Sequence, residues 1–185
     1  ELRGNCNLLN QMILQIIENN DIKKVILSAR WSHYLVGTYY GEDGFLISEK
    51  RQGPYIKENR ADIFKKSLIV TLNKLKKLDV EIHILGQPPT QYSDAESIYF
   101  KAAKLFGNLD SFSVQRKDFE KLTTLQDKLF GEQEPYLRYH NLLNSFCDKK
   151  ICRVGEEDQS FYYDDDHLSN RGALQIKPLL ESILL

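Results

Sequence analysis

Val25-Ile26-Leu27-Ser28-Ala29 is a short apolar, β-branched run set between Lys23-Lys24 and Arg30. It lacks the polar alternation of a half-exposed strand, so it reads as a strand of a buried parallel sheet. On its N-terminal side, Leu8, Leu9, Met12, Ile13, Ile16 and Ile17 repeat at helical spacing between Asn7 and Asn19-Asn20. That spacing predicts an amphipathic helix packed on the sheet. Downstream, Ile63, Phe64, Ser67, Leu68, Leu72, Leu75 and Leu78 form a second helical pattern. Asp62 at its start and Lys74, Lys76 and Lys77 at its end suit the helix dipole. Val80-Glu81-Ile82-His83-Ile84-Leu85 follows as the next parallel strand, reached by a crossover of the length a βαβ unit requires. His83, inside that strand, reads as a structural rather than a catalytic histidine. The expected fold is α/β, a three-layer α/β/α sandwich with a parallel, flavodoxin-like sheet.

The connections point to where a site would lie. Arg30-Trp31-Ser32-His33-Tyr34 follows the first strand, and open α/β sheets bind ligands beyond the carboxyl ends of their strands. Residues 37–59 carry Gly41, Gly44, Gly53 and Pro54 around Phe45-Leu46-Ile47, a long excursion with room for a small hairpin. Gly86-Gln87-Pro88-Pro89 fixes an extended loop that shapes the crevice. Ser93-Asp94-Ala95-Glu96 is a capping-box signature for a helix bearing Ile98, Tyr99, Ala102, Leu105 and Phe106. Another helix is expected over residues 115–130, stopped by Gly131, and then a short strand at Tyr136-Leu137-Arg138-Tyr139. The last segment is helical from a Ser169 N-cap, with Pro178 expected to kink or restart it.

The chain of 185 residues is read as one domain, 1–185. Its net charge of −1 provides no field favouring nucleic acid or an anionic membrane. No run approaches the ~18 apolar residues of a membrane span. The opening Glu1-Leu2-Arg3-Gly4 has no initiator Met, so a longer parent protein is expected. Cys147 and Cys152 enclose four residues, a span that a disulfide can close, and the odd count leaves Cys6 over. Three free thiols are the alternative, and zinc would need more ligands than the spacing supplies.

The chemistry concentrates in Phe161-Tyr162-Tyr163-Asp164-Asp165-Asp166-His167-Leu168-Ser169-Asn170-Arg171-Gly172-Ala173. An Asp three residues before a His can accept from one imidazole nitrogen and leave the other to take a proton from an alcohol. The alternatives are a solvated acidic loop or a metal cluster of Asp164, Asp166 and His167. The following helix N-terminus is expected to lower the His167 pKa and favour the neutral base. A nucleophile is harder to find. Ser28, Ser32, Ser48 and Ser169 are the candidates, and none sits in a Gly-rich elbow. Ser32, after the Arg-Trp pair, is the least implausible.

Tyr-x-Asp-x-Asp-His-Leu-Ser followed by Gly-Ala resembles the last motif block of the SGNH/GDSL hydrolase superfamily. More narrowly, it is similar to the periplasmic SGNH domain attached to membrane acyltransferase-3 proteins, which O-acetylate bacterial surface polysaccharides. Val-Ile-Leu-Ser-Ala-Arg-Trp-Ser resembles that family's strand ending in Arg-Trp. The resemblance implies Asp164 as orienting acid and His167 as general base, with Asp165 and Asp166 as spacers. The oxyanion-donating Asn of many secreted relatives is missing here, so Arg30 or Trp31 is the expected substitute donor, with an ordinary packing role as the alternative for Trp31. The resemblance also implies a disulfide between Cys147 and Cys152, and a partner for Cys6 upstream. The family's serine lies in a Gly-Asp-Ser motif that this chain lacks. The first βαβ portion, about fifty residues, is therefore expected outside it. The implied function is O-acetyl transfer to a cell-envelope polysaccharide, with an acetyl donor, a polysaccharide acceptor, and no metal or organic cofactor. The implied place is periplasmic, or the extracytoplasmic face of a bacterial inner membrane, tethered to a membrane acyltransferase domain. A carbohydrate esterase and a non-catalytic glycan-binding module are the alternatives.

Overall fold

A computed structural model of the chain describes residues 6–37, 39, 60–105, 107–133 and 135–185. Most of the expected 37–59 excursion, including Ser48, lies outside the described residues, as does the side chain of Cys6. The elements run α1 (Cys6–Asn19), β1 (Lys24–Ser28), α2 (Trp31–Leu35), α3 (Arg60–Lys77), β2 (Glu81–Leu85) and α4 (Ala95–Lys104). A 3-10 turn (Leu109–Ser111) leads to β3 (Val114–Gln115), α5 (Arg116–Gly131), β4 (Arg138–His140), α6 (Leu143–Phe146), β5 (Ile151–Cys152) and α7 (Asn170–Leu184).

The α/β fold is built on a parallel sheet in the order β1-β2-β4. Lys24 pairs with Glu81 and Ser28 with Leu85, while His83 to Leu85 of β2 pair with Arg138 to His140 of β4. A single device makes the first two helix-to-strand turns. Asp21 after α1 and Asp79 after α3 adopt φ values of 50° and 53°. Asp tolerates this left-handed region because its short polar side chain bonds locally. β3 and β5 form a separate antiparallel pair. Two-residue strands carry no periodicity, so nothing in the sequence pattern announces this pair.

Ile82 and Ile84 bury one face of β2 with Leu68, Leu72 and Leu75 of α3, Ile17 and Phe130. A second cluster joins α4, α5 and α7 to the closing loop through Ile98, Phe119, Ile176, Phe161 and Tyr162. Several expectations need correction. The α4 cap is Asp94, whose Oδ1 accepts the Ser97 N–H at 2.9 Å, because the helix begins one residue later than the capping box placed it. Gly131 is the last residue of α5, not its stop, and Pro178 lies inside a continuous α7. Only Ile17 of the α1 apolar row is buried. Leu8, Leu9, Met12, Ile13 and Ile16 are 44–57% exposed, on a helix beside the edge strand β1. Among the described residues no helix is long and apolar enough to cross a membrane.

Candidate active site

The closing loop is pinched at its base and held from behind. Tyr162 and Leu168 form an antiparallel bridge, and the Tyr163 N–H donates to the His167 carbonyl at 2.8 Å. Within the loop, Asp164 Oδ1 accepts the N–H groups of Asp166 (2.9 Å) and His167 (2.8 Å), an Asx turn that follows from a short carboxylate two and three residues ahead of the amides. The proline loop after β2 supports it. Gln91 N–H donates to the Asp165 carbonyl at 2.7 Å, and Ala95 N–H to the Asp164 carbonyl at 3.1 Å. Gln91 Nε2 in turn reaches the Cys152 carbonyl at 3.1 Å. Cys147 and Cys152 are disulfide-bonded, which fixes that anchor.

α7 seats directly on the loop. The Ser169 hydroxyl accepts the Gly172 N–H at 3.2 Å and donates to the Ser160 carbonyl at 2.6 Å, so Ser169 is an N-cap. A Cβ on Gly172 would lie 2.0 Å from the Phe161 carbonyl oxygen. Only a glycine lets the helix come this close.

The two central side chains meet as their spacing predicts: Asp164 Oδ2 lies 2.7 Å from His167 Nδ1. That occupies Nδ1 and leaves Nε2 as the nitrogen able to exchange a proton, on a ring 69% exposed. Burial alone would push the Asp164 carboxyl up. The backbone N–H groups of His167 and Asp166, with the His167 ring, hold it down at about 2. His167 is raised above its ordinary value, first by the Asp164 hydrogen bond and then by the charges of Asp166 and Asp164. The expected lowering by the helix dipole is overturned, since two carboxylates at contact distance outweigh a partial charge on the next turn.

Asp166, read from sequence as a spacer, turns inward. Its side chain is 4% exposed, it pairs with Arg30 Nε, and its Oδ1 stands 3.1 Å from His167 Nδ1. Burial raises its pKa against the opposing charge of Arg30. A run of three aspartates does not say which one points in. Arg30 is thus brought to the site, but through Asp166. Trp31 is turned away from it: the indole N–H donates to the Leu85 carbonyl at 2.7 Å, and the ring packs edge-on against Phe64 and Phe130. Ser32 is buried, with its hydroxyl donating to Gln87 Oε1 at 2.6 Å. Ser28 ends the edge strand, and Ser169 is the cap. Among the described residues no serine hydroxyl bonds His167. Asp164, Asp166 and His167 each bring one ligand-type atom within 4.8 Å of the others, so the three could also surround a cation.

A family model described as "SGNH domain (fused to AT3 domains)" matches residues 1–182. The chain belongs to this family. The SGNH domain also resembles the periplasmic domain of a lipopolysaccharide acetyltransferase from Salmonella ser. Paratyphi A, with a TM-score of 0.64 at 15% identity. The match covers 96% of this chain and 63% of that one, so the SGNH domain spans under two thirds of its structural neighbour. At that identity the likeness establishes the fold. No curated protein matches the chain.

Proposed function

We propose that this SGNH domain, residues 1–185 as a single unit completed upstream, is the extracytoplasmic lobe of a membrane acyltransferase. It would move an acetyl group onto a hydroxyl of a cell-envelope polysaccharide. The observation that carries the proposal is the 2.7 Å contact of Asp164 Oδ2 with His167 Nδ1 on an exposed ring. In this reading Asp164 fixes the tautomer, and His167 Nε2 takes the proton of a serine hydroxyl as its oxygen attacks the acetyl carbonyl. The protonated imidazole then returns that proton to the leaving group. A sugar hydroxyl, deprotonated by the same nitrogen, releases the acetyl group from serine. With water as acceptor the same cycle is an esterase.

The serine is assigned to a segment preceding residue 1. Three observations favour that: the absence of a Gly-Asp-Ser motif, the outer position of β1 in the sheet among the described residues, and the exposed apolar row of α1 beside it. The extracytoplasmic setting is supported by a family of domains fused to AT3 domains and by a disulfide, which persists in oxidising compartments.

The experiment is acetyl-ester hydrolysis by the complete upstream-extended domain, with residues 1–185 alone and His167→Ala as controls. Turnover by the complete domain only, lost in His167→Ala and resistant to EDTA, is the expected result. Loss of turnover with EDTA would favour a metal-dependent hydrolase built on the Asp164, Asp166 and His167 cluster. No turnover, with no Gly-Asp-Ser upstream, would favour a non-catalytic glycan-binding module.

A further inference from the structure

The pair formed by Arg30 and Asp166 joins parts of the chain that are 136 positions apart (166 − 30). Arg30 stands at the carboxyl end of β1, immediately before α2. Asp166 belongs to the closing loop, and its backbone N–H is held by the same Asp164 oxygen that holds the His167 N–H. A carboxylate buried to this degree stays ionised only with a charged partner, and leaving it unpaired is strongly destabilising. Neither Asp166 oxygen accepts a well-aligned hydrogen bond, so its contacts are charge contacts: Arg30 on one side, His167 Nδ1 on the other.

We infer that Asp166, held by Arg30, is a positioning residue: a second carboxylate on His167 Nδ1 that ties the imidazole to the carboxyl end of β1. Asp164 alone would orient the ring relative to its own loop, three residues away. The loop's backbone is also held by Gln91 and Ala95 of the segment after β2. The Arg30–Asp166 link, however, ties it to the end of β1 through a side chain that touches the ring, and that edge is where the proposed nucleophile strand would lie. The kinetic consequence rests on His167 acting as the general base, whereas the ionic coupling does not.

The charged groups around Asp166 are Arg30, Asp165, His167 and Asp164, and those around His167 are Asp164, Asp166 and Arg30. Replacing Asp166 by Asn removes a negative charge at 3.1 Å from Nδ1 while keeping the side-chain shape. The test is an NMR titration of the His167 ring in the complete domain, beside acetyl-ester kinetics. Asp166→Asn should lower the His167 midpoint by about half a pH unit or more. It should also lower kcat about tenfold with little change in KM. Arg30→Gln should lower kcat similarly, and Arg30→Lys should recover most of it.

An unchanged His167 midpoint in a folded Asp166→Asn protein would overturn the inference. Should that variant not fold, Arg30→Gln decides through kcat, and an unaltered kcat there overturns it equally. Full activity in His167→Ala would remove the catalytic reading, yet the titration would still report whether Asp166 acts on the ring.

Discussion

Asp164 holds His167 twice, taking its backbone N–H on Oδ1 at 2.8 Å and facing its ring Nδ1 with Oδ2 at 2.7 Å. One carboxylate thereby fixes both where the histidine begins and how its ring is turned. The spacing of three makes this possible, because the Asx turn brings the residue three places on back over the carboxylate. The carboxylate that orients the His167 ring is also the one that folds the loop.

Replacing the proposed base separates chemistry from stability. The His167 side chain is 69% exposed and contributes little packing. His167→Ala in the complete domain should lose about three orders of magnitude in kcat while unfolding within about 0.5 kcal/mol of wild type. Denaturant melts beside ester kinetics check this. Asp164→Asn should lose activity and stability together, since it disturbs the turn as well.

The pH dependence follows from the signs. His167 must be neutral to accept a proton, and its pKa lies above the ordinary 6.5. The acid limb of kcat/KM should therefore have its midpoint above 6.5, while Asp164, at about 2, stays ionised throughout. Stability runs the other way. The contribution of the raised His167 is full below pH 6.5 and is lost as pH rises through the raised value. That of the lowered Asp164 is present above its ordinary 3.8 and is lost as pH falls toward 2. Melting temperatures across pH, with rates on the same samples, test both directions.

The disulfide should matter to the site as well as to the fold. Closing so short a loop is worth about 2 kcal/mol by chain entropy. Cys152 is fully buried, and its carbonyl receives Gln91, which steadies the Asp165 carbonyl. Cys147→Ser should lower the melting temperature and reduce turnover, and a reductant should reproduce both effects in the wild type.

Gly172→Ala should be costly although alanine favours helices. The added carbon meets the Phe161 carbonyl at 2.0 Å, so α7 or the loop must shift. A loss of about 1–3 kcal/mol is expected, with a changed His167 ring resonance. Ala173→Gly, one residue on, should cost only helix propensity, about 1 kcal/mol, and leave the ring resonance in place.

Local relations were legible and distant ones were not. The strand at Val25, the α3 periodicity and the Asp-x-x-His spacing each encode a neighbour within a few residues, and each formed. Yet β1 is half-buried at the outside of the sheet rather than buried, because burial depends on what lies beside it. Arg30 with Asp166, and His83 Nδ1 with His140 Nε2 at 2.9 Å, join residues whose separation leaves no periodic trace. The raised His167 pKa comes first from the Asp164 hydrogen bond, whose spacing is visible in the sequence and which outweighs the helix dipole. It comes next from the charge of Asp166, whose inward turn depends on an arginine from another part of the chain. The α1 row has the apolar helical spacing expected of it, yet only Ile17 in it is buried.

The central claim is that His167 serves a serine absent from residues 1–185, and covalent labelling tests it most directly. The complete domain would be treated with a fluorophosphonate, and the modified residue located by mass spectrometry. The account predicts one adduct on a serine preceding residue 1, forming about a thousandfold more slowly in His167→Ala. Labelling of Ser28 or Ser32, or an unchanged rate in His167→Ala, would contradict it.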